Sequence, residues 1–135
     1  MKIKFNSPYI QGDELAFVQE AVSNGKLSGN GPFTHKCQTF LEERYGFGKC
    51  LLTHSCTGAL EMIGLLIKLQ PGDEVIIPAY TFVSTANAFM LRGAVIRFAD
   101  SKLTHPNIDE DNLEHLITKK TKAIVCVHYA GYSCN

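Results

Sequence analysis

The chain has 135 residues, 45% hydrophobic and 19% charged, a balance that fits a globular protein rather than a disordered tail. Thirteen basic and thirteen acidic residues cancel, which removes any global electrostatic case for nucleic acid or an anionic membrane. No apolar run approaches the roughly 18 residues a spanning helix needs, and Met1 to Pro8 is too polar for a secretory signal.

The apolar spacing of Leu15, Val18, Ala21 and Val22 predicts a first helix over Asp13 to Asn24, stopped by Gly25. Lys26 to Pro32 holds two glycines and a proline and reads as a flexible loop. A second helix is expected over Phe33 to Tyr45, with Phe33, Cys37, Phe40 and Leu41 inward. Alternation then begins. Lys49 to Thr53 reads as a short buried strand, and Thr57 to Leu69 as a helix apolar on most of its surface. Pro71-Gly72-Asp73 is a turn before a strand at Glu74 to Ile77. A helix over Thr81 to Leu91 and a strand over Ala94 to Ala99 follow. Asp109 is expected to cap a helix reaching Ile117, and Lys122 to His128 to form a fourth strand. Repeated strand–helix–strand units predict an α/β fold: three layers, a mostly parallel sheet, helices on both faces. The predicted division is residues 1–46, carrying helices and loop, and residues 47–135, carrying the sheet.

The five cysteines are Cys37, Cys50, Cys56, Cys126 and Cys134. An odd count with irregular spacing makes a poor disulfide framework, and neither a CxxC pair nor a zinc-spaced histidine accompanies them. They read as buried or half-buried thiols of a reducing compartment, and no metal site is expected.

Three segments carry the chemical signal, each at a predicted strand's carboxyl end, where open α/β sheets place their sites. His54-Ser55-Cys56-Thr57-Gly58-Ala59 passes from strand to helix. A helix N-terminus offers unpaired N–H groups and a positive dipole end, so small and hydroxyl residues there suit an anion or phosphate. A plain Ser or Thr cap is the competing reading. Pro78 to Asn87 opens a second such helix, with Phe82 placed either to stack on a flat ring or to fill the core. Val127-His128-Tyr129-Ala130-Gly131 sets His128 as an acid–base group, a donor or a structural residue. Lys26 to Pro32 is a mobile substrate loop or a connector.

These segments resemble the DegT/DnrJ/EryC1 family of fold type I PLP-dependent sugar aminotransferases. Leu51 to Met62 resembles its phosphate-binding segment. Pro71 to Ile76 with Tyr80 to Phe89 resembles its ring-stacking segment, and Lys26 to Thr34 its substrate loop. The resemblance implies that Ser55, Cys56, Thr57, Gly58 and Phe82 hold PLP. It implies that Ser28, Gly29, Asn30, Gly31, Pro32 and His128 lie near a sugar nucleotide. It further implies transfer of an amino group from glutamate to a nucleotide-linked 4-keto-6-deoxy sugar, dTDP-4-keto-6-deoxyglucose. The setting implied is cytoplasmic lipopolysaccharide and enterobacterial common antigen sugar synthesis by a homo-oligomer. The family's PLP-bearing lysine and the acid on its pyridine nitrogen lie downstream of these segments. The chain is therefore expected to be an N-terminal portion, without catalytic residues and inactive alone. A non-catalytic fragment or interaction module, and the sugar dehydratase branch with histidine for lysine, are the alternatives.

Overall fold

The computed structural model describes residues 3, 4 and 6–135. The chain divides into two compact units, Met1–Leu52 and Thr53–Asn135.

The first unit is built on two helices, α1 (Glu14–Ser23) and α2 (Pro32–Tyr45). Pro32 suits the first helical position, where its missing N–H is no loss, and left-handed Gly46 closes the far end. The helices meet through an edge-on Phe17–Phe33 pair, centroids 5.7 Å apart, and a Lys36–Glu20 contact of 3.4 Å. Their predicted inward faces are not buried. Leu15 is 81% exposed, Phe40 is 62% exposed, and α2 buries Gln38 instead. Helical spacing picks out an apolar stripe, but two helices without a sheet cannot cover it.

No strand forms at residues 49–53. Local side chains take the groups a ladder would need. The Cys50 N–H donates to the Glu42 carboxylate at 2.8 Å, and Lys49 pairs with the same oxygen at 2.9 Å. The Cys50 amide, ahead of Lys49, holds the Glu42 carboxyl below its usual value.

The second unit is a parallel three-stranded sheet of order β2-β1-β3. Its strands are β1 (Glu74–Pro78), β2 (Val95–Ala99) and β3 (Thr121–Ile124). In β1, Val75, Ile76 and Ile77 are all fully buried, as a central strand covered on both faces requires. Pro78, lacking an N–H, ends it. An extra residue on β3 shifts the register between Glu74 and Val75.

Helices α3 (Cys56–Leu66) and α4 (Val83–Met90) form the layer over one face. There Val75 and Ile77 pack with Leu69, Phe89 and Ala94. The two helices approach closely at Gly64, where an added Cβ would lie 3.3 Å from Arg92 and 3.7 Å from Phe89. On the opposite face Ile76, Ala99 and Ile108 pack with Leu113, Leu116 and Cys134. The architecture is thus the three-layer, parallel-sheet α/β arrangement expected.

The third layer differs in kind. The helix expected over Asp109 to Ile117 is two 3-10 turns, Glu110–Asn112 and Glu114–Leu116. Asp109 makes no backbone cap. Its carboxylate accepts from the Asn112 side-chain amide and lies 3.4 Å from Lys102. That amide, with Lys102 in addition, keeps the Asp109 carboxyl below the usual range. Lys102 also reaches Asp111 at 2.6 Å and Glu110 at 3.4 Å. The hydrogen bond to Asp111 holds its ammonium well above the ordinary lysine value. A segment this short nucleates a helix poorly, and the side-chain network competes for its ends.

The fourth predicted strand ends at Ile124 rather than His128, although the Val125 N–H still donates to the Ile76 carbonyl at 2.8 Å. No cysteine is buried: Cys37, Cys56 and Cys126 are exposed, and Cys50 and Cys134 half-buried. Among the described residues, no helix is long and apolar enough to cross a membrane.

Candidate functional site

The sheet order places a topological switch point at β1 and β3. From β1 the chain proceeds to β2 on one side, and it returns as β3 on the other. Crevices at such points, beyond the strands' carboxyl ends, are where α/β sheets bind ligands. The second unit has a cavity of about 490 Å³ there, lined by the start of α3, the start of α4 and residues 125–129 after β3.

The wall at α3 is a helix N-terminus, as the sequence suggested. Ser55 is the N-cap, in extended conformation, and its Oγ accepts from the Gly58 N–H at 3.0 Å. The competing cap reading is therefore met, with Ser55 rather than Thr57 as the capping residue. A cap satisfies one first-turn donor and leaves others. The N–H groups of Cys56 and Thr57 have no partner among the described residues, and both residues line the cavity. Ser55 and Gly58 support this wall rather than line it. A Cβ on Gly58 would stand 3.2 Å from the His54 ring, so the turn is tight there.

Phe82 is the extended N-cap of α4, 73% exposed and on the cavity wall. The core alternative for Phe82 is excluded; Phe89, seven residues on within the same helix, fills the core. Ser84 and Thr85 complete this side, with Thr85 Oγ1 and Thr81 Oγ1 hydrogen-bonded at 2.9 Å. Two helix N-termini thus open on one space, and their dipoles favour an anionic group.

His128 lines the cavity between β3 and a 3-10 turn at Tyr129–Gly131. Its Nδ1 accepts from the Cys134 N–H at 3.0 Å. Accepting at Nδ1 places the proton of the neutral ring on Nε2, which leaves one donor available. Ser28, Gly29, Asn30, Gly31 and Pro32 belong to the first unit, where Asn30 is left-handed (φ 58) and Gly31 caps α2.

Sequence reasoning passed over Tyr80 and Tyr129. Their rings cross edge-on at 4.9 Å and border a smaller cavity of about 360 Å³ with Phe82. The neighbouring Tyr80 hydroxyl, by hydrogen bonding that favours the protonated form, pushes the Tyr129 phenol above its ordinary value. The signal was present, since each tyrosine lies within a segment already singled out, but nothing in the sequence pairs them. Folding favours the un-ionised pair, so its contribution is present below the ordinary tyrosine value and is lost as pH rises through the raised one. Ultraviolet titration of tyrosinate absorbance is expected to show one late-ionising tyrosine in the chain, moved back toward the ordinary value by Tyr80→Phe. An unchanged curve in the variant would contradict the pairing.

The family model described as the DegT/DnrJ/EryC1/StrS aminotransferase family matches residues 8–135. The chain belongs to this family. Among curated family relatives, it is 36% identical over 133 residues to the spore coat polysaccharide biosynthesis protein SpsC of Bacillus subtilis (strain 168), covering 98% of this chain and 34% of SpsC. It is 31% identical over 128 residues to GDP-perosamine synthase of Escherichia coli O157:H7, covering 95% of this chain and 35% of that protein. Among solved structures, the putative sugar aminotransferase Spr1654 of Streptococcus pneumoniae in its PMP form superposes with a TM-score of 0.88. The identity there is 33%, over 100% of this chain and 34% of Spr1654. The chain thus spans about a third of the length of these relatives. Spr1654 is also known in a PLP form, so a PLP-type cofactor is a property of the family's solved structures.

The cavity's residues fit such a group. Two unpartnered N–H groups and the Thr57 hydroxyl suit a phosphate, and an exposed phenyl ring lining the same cavity from α4 suits a flat heterocycle.

Proposed function

We propose that this chain is the part of a sugar-nucleotide aminotransferase that holds PLP. The observation that carries the reading is one cavity bounded by both the open N-terminus of α3 and the exposed Phe82 ring. In this reading Cys56 and Thr57 donate their N–H groups to the phosphate. Ser55 keeps that turn in shape through Gly58, and Phe82 lies against the pyridine ring. His128 donates from Nε2 toward the substrate side, while Ser28 to Pro32 serve as the sugar-nucleotide loop. When bound, PLP supplies a carbonyl carbon that accepts an amino group and a ring that withdraws electrons from it.

The substrate pair proposed is glutamate and a nucleotide-linked 4-keto-6-deoxy sugar, dTDP-4-keto-6-deoxyglucose. The setting proposed is cytoplasmic lipopolysaccharide and enterobacterial common antigen sugar synthesis, in a homo-oligomer. Support comes from the names of the relatives, one a GDP-perosamine synthase and one a polysaccharide biosynthesis protein. Exposed Ile63, Leu65 and Leu66 on α3 favour association.

Among the described residues, no lysine lines the cavity. Holding and exchanging the cofactor requires an amine in reach, so the chain alone is expected to be inactive. With PLP, glutamate and dTDP-4-keto-6-deoxyglucose it should release no 2-oxoglutarate above the PLP-only blank; enzyme-dependent release would overturn this. The cofactor reading has its own readout. Calorimetric titration should show pyridoxamine 5′-phosphate binding at least about tenfold more tightly than pyridoxamine, the phosphate being the anchored group. Phe82→Ala should weaken the phosphorylated ligand roughly 2–10-fold through lost stacking. Equal affinity for the two ligands would contradict the reading.

A further inference from the structure

Cys126 and Cys134 are eight positions apart, and the fold returns one to the other. Ile124 is in register with Ile76, so the two share a sheet face. By strand alternation Cys126 projects to that face as well, while Ala123 and Val125 pack on the opposite one. Cys134 packs on the Ile76 face, with Ala99 and Ile108. Two further contacts fix it at the strand end. Its Sγ lies 3.4 Å from the Val127 carbonyl oxygen, and its N–H donates to His128 at 3.0 Å. A third tie closes the same loop: the Asn107 side chain donates to the Tyr132 carbonyl at 2.7 Å and accepts from the Tyr129 N–H at 3.1 Å. The segment between the two cysteines is therefore held in a closed turn, with one thiol exposed and the other half-buried behind it.

We infer that Cys126 and Cys134 form a reversible dithiol–disulfide pair, a redox modification site on the wall of the cavity. The inference stands apart from the cofactor reading, since it uses only the two thiols and the turn. Burial, with the neighbouring Cys134 thiol in support, pushes the Cys126 thiol up, so the reacting thiolate is a minor form and the exchange is slow. The oxidant is a small disulfide such as oxidised glutathione. Cys126, the exposed partner, attacks one of its sulfurs as thiolate, forming a mixed disulfide and expelling one glutathione. Cys134 then attacks the Cys126 sulfur, and the second glutathione leaves. Two protein thiols are oxidised, one glutathione disulfide is reduced to two thiols, and the two protons pass from protein to glutathione. His128 and Tyr129 lie between the two cysteines, so the bond closes a ring around the segment that forms one side of the cavity.

The test uses the whole chain in a glutathione redox buffer, with free thiols blocked by N-ethylmaleimide and digestion by trypsin without reduction. Both cysteines fall in one peptide, Ala123 to Asn135, which holds no lysine or arginine after Lys122. The expected product is that peptide lacking two hydrogens and carrying no maleimide. Cys50 and Cys56 are closer in sequence and control for simple loop closure. In the folded chain the Cys126–Cys134 bond should exceed Cys50–Cys56 by at least about tenfold, and in urea the preference should vanish. Cys126→Ser, at an exposed position, should abolish the product, while Cys37→Ser should leave it unchanged. Two maleimides on the folded chain's peptide, a persistent glutathione adduct on Cys126, or the same preference in urea would each overturn the inference.

Discussion

Gly93→Ala is expected to destabilise the second unit by about 2–4 kcal/mol, enough to lower its melting midpoint by roughly 10–30 °C. Two independent costs act at this position. Gly93 is left-handed, at φ 80, which an L side chain resists by about 1–2 kcal/mol. A Cβ there would also stand 2.9 Å from Pro71 Cβ and 3.0 Å from Pro71 Cα, and the latter is backbone that cannot swing aside. The close approach is functional for the fold. The Gly72 N–H donates to the Gly93 carbonyl at 2.9 Å, which ties the turn before β1 to the turn before β2 and brings the two strands into register. Gly72→Ala separates the costs, because Gly72 is left-handed too, at φ 88, but its Cβ would meet open space. It should cost only the conformational part. Chemical denaturation of both variants checks this, and equal losses would show that the Pro71 contact is without weight.

Phe89→Ala should cost about 3–5 kcal/mol, the range for deleting a fully buried phenyl ring. Phe89 is 1% exposed and joins α4 to the sheet through Leu69, Val75, Ile77 and Ala94. It sits against Gly64, so the ring also sets the spacing of α3 and α4. Those helices carry the two N-termini that bound the cavity, and a collapse around the missing ring would move them. Phe98→Ala is the natural control, with Phe98 60% exposed on the edge strand β2. Its loss should stay within about 0.5 kcal/mol, as for surface positions generally. Comparable losses at the two positions would mean that this core does not carry the unit's stability.

The contrast between the two phenylalanines marks what the sequence could convey. The run Val75-Ile76-Ile77 between a Pro-Gly turn and a proline reads directly as a buried central strand, because a continuous apolar run needs cover on both faces. Ser55 and the small residues after it read as a helix start for the same local reason, and two of the three segments follow strands that form; the strand expected before Ser55 does not. What failed depended on partners remote in sequence. Leu15 and Phe40 lie on good helical stripes, yet a stripe does not say whether anything covers it. The helix over Asp109 to Ile117 lost to an ion cluster centred on Lys102, seven positions upstream of its first member. Tyr80 and Tyr129, and Cys126 and Cys134, meet only through the return of β3 beside β1 and the closed turn after it. Periodicity holds no record of such encounters.

The most direct test of the account locates the ligand rather than measuring its affinity. Amide signals of the isotopically labelled chain are followed during titration with pyridoxamine 5′-phosphate, and separately with inorganic phosphate. Both should move Cys56, Thr57 and Gly58, where the unpartnered N–H groups of α3 face the cavity. Only the ring-bearing ligand should also move Phe82, Ser84 and His128. Shifts concentrated elsewhere, with Cys56 to Gly58 unmoved by either ligand, would contradict the claim that this cavity is built to hold a phosphorylated pyridine.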